Sequence, residues 1–189
     1  MKIVVLNNIT NCDKPYLTLR PDNAVLRNND DFYMPTFSTD MVANVGYYLR
    51  VTRLAKCVNE KFAPRCYDAV GVAVAFSARD IIERNCALGR PCDEAYCFDK
   101  SIALSLENIA TNEVGEGRLG IKIGEKTLSC DLSKIKRSLD GALARASELL
   151  TLKMGDIIFI SATESEKVAI GENIAVSLNE NCLLDFSIK

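Results

Sequence analysis

The residues best placed to do chemistry form two short runs, Ser77-Ala78-Arg79-Asp80 and Cys97-Phe98-Asp99. A guanidinium beside hydroxyl and carboxylate groups suits capture of a small anion by Arg79. Histidine is absent from the chain. Ser-His-Asp and Cys-His nucleophile pairs, imidazole-ligated zinc and a histidine general base are therefore excluded. Any catalysis must come from carboxylates, lysine, tyrosine, cysteine or an oxygen-ligated cation.

Eight cysteines stand at positions 12, 57, 66, 86, 92, 97, 130 and 182, and no pair has CxxC spacing. A zinc knuckle or thioredoxin-like pair is thus unsupported, and reduced thiols are expected. Cys86, Cys92 and Cys97 cluster in sequence, which reads as small buried or loop residues. Charged residues make up 25% of the chain with a net charge of −2, and Lys134, Lys136 and Arg137 form the one dense basic cluster. This balance calls for neither nucleic acid nor an anionic membrane. Ile3-Val4-Val5-Leu6 is too short for the apolar core of a signal peptide, and no later run approaches the roughly 18 residues of a membrane span. A cytoplasmic protein is expected.

The elements that must position these groups are mostly strands. Lys2 to Leu6 reads as an opening strand, followed by turn formers from Asn7 to Pro15. Val45 to Ala55 and Ala69 to Phe76 read as further strands, the second apolar on both alternating faces and so buried. Ser77 is placed to cap a helix from Ala78 to Leu88, with Asp80 in its first turn and Gly89 as its stop. Leu119 to Leu128 reads as a hairpin turning at Gly124-Glu125. Ile135, Leu139, Leu143, Ala146 and Leu150 recur at helical intervals over Ser133 to Leu150. Ile157 to Ile160, Ile174 to Leu178 and Leu183 to Ile188 complete the strands, and Glu113 to Gly117 is the candidate flexible loop. The 189 residues fit one domain, 1–189, of mixed α/β but mainly β class.

Four segments give this order a family likeness: Leu19-Arg20-Pro21, Ser77-Ala78-Arg79-Asp80, Phe98-Asp99 and Gly155-Asp156-Ile157-Ile158. Together they resemble the fumarylacetoacetate hydrolase family, whose corresponding runs read Leu-Lys-Pro, Ser-Ala-Arg-Asp, Ala-Lys-Ser-Phe-Asp and Gly-Asp-Val-Ile. The resemblance spans nearly the whole chain and implies that family's β-rich fold. It also implies a magnesium or manganese ion held by three carboxylates, which polarises a keto acid or β-diketone. Laid over this sequence, the Glu-x-Glu pair falls on Gly46 and Tyr48, and the third ligand falls on Ala75. The family's active-site lysine falls on Tyr96, and of its Thr-Gly-Thr-Pro turn Thr163 is kept. A shift of one or two residues finds no acidic side chain between Met41 and Cys57.

The resemblance therefore implies a degenerate member with no metal ion, no cofactor and no catalytic residues. Its pocket would be formed by Gly46, Tyr48, Ala75, Tyr96 and Thr163. Arg79, with Thr163 and Tyr48, would bind a small carboxylic acid, or the protein would act through protein contacts. The surviving polar residues also have structural roles open to them: Ser77 as a cap, Arg79 paired with Asp80, and Asp99 bound to a loop. The alternative is an active hydrolase, isomerase or decarboxylase using displaced ligands such as Asp40, Glu94 or Asp99. A homodimer is expected, as in relatives.

Overall fold

The computed structural model describes residues 1–7, 16–27, 29–106, 109–110, 118–131, 135–178 and 181–189. The turn-rich stretch after Asn7, Cys12, the 113–117 loop and the start of the basic 134–137 cluster lie outside the described residues. Thirteen strands are formed among the described residues: β1 (Ile3–Asn7), β2 (Tyr16–Arg20), β3 (Val25–Leu26), β4 (Met41–Val51), β5 (Tyr67–Ala78), β6 (Ile102–Leu104), β7 (Ile109–Ala110), β8 (Arg118–Ile123), β9 (Lys126–Asp131), β10 (Ile157–Ser161), β11 (Glu166–Lys167), β12 (Asn173–Leu178) and β13 (Asn181–Ser187). Two α-helices accompany them, α1 (Arg79–Ala87) and α2 (Ile135–Leu149). The mainly β expectation holds. No helix is long and apolar enough to cross a membrane among the described residues.

A nine-stranded sheet runs β2-β1-β10-β4-β5-β6-β3, with β11 on β4 and β7 on β5; a four-stranded sheet runs β13-β12-β8-β9. The long antiparallel pair at the centre of the first sheet sets its register, from Met41 opposite Ala78 to Val51 opposite Tyr67. Because successive strand residues point to opposite faces, β5 is divided cleanly. Val70, Val72, Val74 and Phe76 enter the main core, with Val45, Tyr47 and Leu49 of β4 and with Leu139 and Leu143 of α2. Ala73 and Ala75 face the other way, into a smaller apolar cluster with Tyr48, Phe159, Ile3, Val5, Ile102 and Leu104. The doubly apolar sequence of β5 thus has two cores to serve.

That second face leaves little room at its centre. A Cβ on Gly46 would lie 2.0 Å from the carbonyl oxygen of Ile160 in β10, and one on Gly71 would lie 2.2 Å from the Tyr48 ring. Glycine at 46 is therefore imposed by backbone approach, and glycine at 71 by the tyrosine packed over it. At the edge of this face Asp156 ties the first strand to the tenth. Its buried carboxylate accepts hydrogen bonds from the backbone N–H groups of Lys2 (3.0 Å) and Lys153 (2.8 Å) and pairs with the Lys2 ammonium. Burial alone would push its carboxyl pKa up; the bonds from Lys2 and Lys153 outweigh that and hold it low.

Two expected details differ. Strand β5 runs on through Ser77 to Ala78, so α1 begins at Arg79 and Ser77 does not cap it. Strand β4 starts at Met41 and ends at Val51, earlier at both ends than hydrophobicity suggested, because Asn44 and Gly46 lie within its ladder. Gly89, at φ +63°, ends α1 as expected, and Gly124, at φ +55°, turns the β8–β9 hairpin.

Gly46→Ala is predicted to destabilise the fold by at least about 3 kcal/mol, because the colliding atom belongs to the β10 backbone and cannot rotate away. Urea unfolding measures this, and a loss below about 1 kcal/mol would mean that β10 yields.

Candidate functional site

The strand–helix junction at Ala78 is held by charge. Arg79 forks onto Asp40 through Nε (2.6 Å) and Nη2 (3.0 Å), and Lys167 reaches the same carboxylate at 3.2 Å. The Arg79 bond holds the Asp40 carboxyl below its ordinary pKa against the opposing pull of burial, and Lys167 adds to it. Asp80 is not the partner of Arg79. It accepts from the Ser38 hydroxyl (2.7 Å), the Thr39 backbone N–H (2.9 Å) and the Ile81 N–H at the helix start (2.9 Å). Asp80, rather than Ser77, satisfies the first turn of α1. Asp99 accepts from the side-chain amide of Asn23.

Beside this junction a cleft of about 150 Å³ opens on the face of the sheet that carries Ala75. It is lined by Val5, Asn7, Tyr16, Thr18, Arg20, Val42, Asn44, Ser77, Arg79, Ile82, Tyr96 and Ser165. Its floor follows from register: Val42 lies opposite Ser77, and Asn44 opposite Ala75. Gly46 pairs with Ala73 and Tyr48 with Gly71, further along the sheet.

Of the residues singled out in the sequence as candidates for chemistry or for the pocket, Ser77, Arg79 and Tyr96 line this cleft. Ala75 is buried in the adjoining apolar cluster with Tyr48. The Tyr48 hydroxyl donates to the Ser105 carbonyl (2.9 Å), and burial raises its pKa. Tyr48 also lines a separate cavity of about 340 Å³, together with Arg27, Arg50, Leu104 and Ser105. Gly46 lies against the β10 backbone. The Thr163 hydroxyl accepts from the Val45 N–H (3.0 Å), so its role there is to fix the turn after β10 onto β4.

Arg20 was visible in the sequence only as part of a fold-marking motif, yet it is the dominant charge of the cleft. Its side chain is buried, with the whole residue 3% exposed. Nη1 donates to the Ser101 carbonyl (2.6 Å) and Nη2 to the Ser77 hydroxyl (3.3 Å), while buried Nε has no partner. Arg20 forms no ion pair with any described carboxylate, and burial lowers its pKa to about 10. Tyr96 is pushed the other way, chiefly by burial and next by the neighbouring Cys92 thiol, so its phenol stays protonated.

This donor set does not fit a hard divalent ion. Among the described residues no group of three or more Cys, Asp or Glu side chains converges. The cleft offers Val42, Asn44, Ser77 and Tyr96 with two guanidinium groups, whereas magnesium or manganese requires carboxylates and water. Asp40 is engaged by Arg79 and Lys167, Glu94 by Arg84 (3.3 Å) and Asp99 by Asn23.

Because the Asp40 pKa is depressed on folding, its contribution to stability is present above its unfolded value, near pH 4, and fades as pH falls through the lower folded value. Asp40→Asn should lower the melting temperature at pH 7, with the gap to the wild type closing below about pH 3. Melts across that range test this, and a gap that widens in acid would contradict it.

No protein-family model matches the sequence, and no curated protein matches it. Solved structures do match in fold. A protein assigned to the fumarylacetoacetate hydrolase family from Yersinia pestis CO92 superposes with a TM-score of 0.86 at 19% identity, over 100% of this chain and 92% of that one. Fumarylpyruvate hydrolase from Pseudomonas aeruginosa, in complex with manganese and pyruvate, gives 0.85 at 15% identity, over 99% and 88%. The 5-carboxymethyl-2-hydroxymuconate delta-isomerase from Mycobacterium smegmatis gives 0.81 at 15% identity, over 99% and 78%.

Proposed function

We propose that this chain, which has the fold of the fumarylacetoacetate hydrolase family, binds a small carboxylic acid in the Arg20 cleft and does not carry out metal-dependent hydrolysis. The observation that carries this reading is the Arg20 guanidinium, buried without an anionic partner among the described residues. Taking an arginine out of water is costly unless a counter-charge or a full set of acceptors repays it. Two neutral acceptors repay it in part, and a carboxylate on the open side would complete the repayment with strong charge-assisted bonds. Arg79, already paired with Asp40, lines the cleft beside it, while Tyr96, Ser77 and Asn44 add polar atoms that would orient the acid. At about 30 Å³ per water, the cleft has the volume of roughly five waters, which suits a two- or three-carbon acid such as oxalate or pyruvate, whose bonded atoms each take less space than a water.

Loss of the acidic ligands supports the same reading. A carboxylate trio without its metal would repel itself and a bound acid, whereas Gly46, Tyr48 and Ala75 at the family's ligand positions are uncharged, and among the described residues no acidic side chain lines the cleft to cancel the field of Arg20. The alternative, a working hydrolase, isomerase or decarboxylase with displaced ligands, would need Asp40, Glu94 or Asp99, and each is already committed to a cation or amide. We also propose that the protein is a cytoplasmic homodimer; light scattering that shows only the 20.8 kDa species would overturn the dimer.

Oxalate or pyruvate at a hundredfold excess over its dissociation constant should stabilise the protein by about 2.7 kcal/mol, a rise in melting temperature of about 5–10 °C. The rise should not depend on manganese. Arg20→Met should abolish it while leaving a folded protein of similar or greater stability, because a buried unpaired charge is removed. A ligand shift that survives Arg20→Met would reject the cleft. Stoichiometric manganese binding by calorimetry, coupled to turnover of a keto acid, would instead establish the enzyme.

A further inference from the structure

The thiols of Cys86 and Cys92 lie 3.6 Å apart, close to the contact distance of two sulfurs and one bond formation from a disulfide. Cys86 is exposed near the C-terminal end of α1, and Cys92 immediately precedes the 3₁₀ turn Asp93–Ala95 that leads to Tyr96. Three contacts already hold the two segments together. The Asn85 side-chain amide donates to the Pro91 carbonyl (2.9 Å), the Arg90 N–H to the Asn85 carbonyl (2.8 Å), and Arg84 pairs with Glu94 at 3.3 Å. With Gly89 already in the left-handed conformation the turn requires, the sulfurs are brought together by backbone geometry. The 3₁₀ turn ties Tyr96 closely to Cys92: the Ala95 N–H donates to the Cys92 carbonyl (2.9 Å) and the Tyr96 N–H to the Asp93 carbonyl (3.0 Å).

We infer that Cys86 and Cys92 form a reversible disulfide whose state repositions Tyr96 at the wall of the cleft. With hydrogen peroxide as oxidant, exposed Cys86 is converted to a sulfenic acid with release of one water. The Cys92 sulfur then attacks the Cys86 sulfur and a second water leaves, so two thiols lose two electrons and two protons while peroxide becomes two waters. The sulfurs close to about 2.05 Å. As the Cys92 sulfur is drawn toward Cys86, the turn Asp93–Ala95 that starts beside it carries the shift to the ring of Tyr96.

Peroxide treatment of the full chain, followed by alkylation and mass spectrometry, should show loss of about two hydrogens and protection of Cys86 and Cys92, with Cys97 still alkylated. Dithiothreitol should reverse it. Cys86→Ser and Cys92→Ser should each abolish the bridge, and Cys97→Ser should keep it. The near-ultraviolet circular dichroism of tyrosine should change on oxidation in the wild type and not in Tyr96→Phe. A bridge to Cys97, or no bridge in the folded wild type, overturns the disulfide; an unchanged tyrosine spectrum after bridge formation overturns the link to Tyr96. The mapping needs only the wild type and does not depend on whether the cleft binds an acid.

Discussion

The pairing of β4 with β5 is the constraint on which the rest of the molecule depends. One register, Met41 opposite Ala78, brings Asp40 beside Arg79, sets Asn44 against Ala75 and Val42 against Ser77, and stacks Tyr48 over Gly71. Slipping by one residue would turn Val70, Val72, Val74 and Phe76 out of the main core and send Ala73 and Ala75 into it. The large side chains of one face and the small ones of the other thus specify the same alignment. Both the ion pair that launches α1 and the floor of the cleft are consequences of it.

Charge in the cleft is arranged asymmetrically. Arg79 is neutralised by Asp40 across a partly exposed contact, while Arg20, far more deeply buried, meets only a carbonyl and a hydroxyl. A guanidinium is tolerated there because its five donors are rigid and weakly hydrated, and it cannot shed its charge as a lysine would. The fall of its pKa to about 10 still leaves it cationic at neutral pH. The lining differs in kind from that of a carboxylate-lined metal centre: its charged side chains are the two guanidinium groups of Arg20 and Arg79.

Much of the fold was legible because its signals are local and redundant. Gly124 and Gly89 mark a hairpin and a helix end by the sign of φ, and the three- and four-residue spacing from Ile135 to Leu150 can only be a helix with one apolar stripe. The cleft was less legible for reasons that are equally physical. Displacement of a strand by two residues preserves which face each side chain occupies, so Asn44, Gly46 and Tyr48 are equivalent to any argument from alternation. Only the cross-strand register distinguishes them. Arg20 inverts the hydropathy rule, being buried beside an exposed Leu19, and nothing local announces it. Ser77 has the residue type of a helix cap, but the strand continues through it, and its hydroxyl is used by Arg20 instead.

The contact between Gly46 and the Ile160 carbonyl also bears on how this sheet could change over evolutionary time. Where a backbone oxygen occupies the space of a side chain, no single codon change can install a functional group; the neighbouring strand must move first, and strands at the centre of a sheet move only with their partners. Position 46 is closed to chemical novelty. Asn44 is open: its amide, within reach of the Thr163 carbonyl and the Ser165 hydroxyl, differs from a carboxylate by one atom exchange without change of shape. New chemistry in this scaffold would enter at its cleft-facing end, where side chains already point into solvent-sized space, while at the glycine end the β10 backbone leaves no room for a side chain.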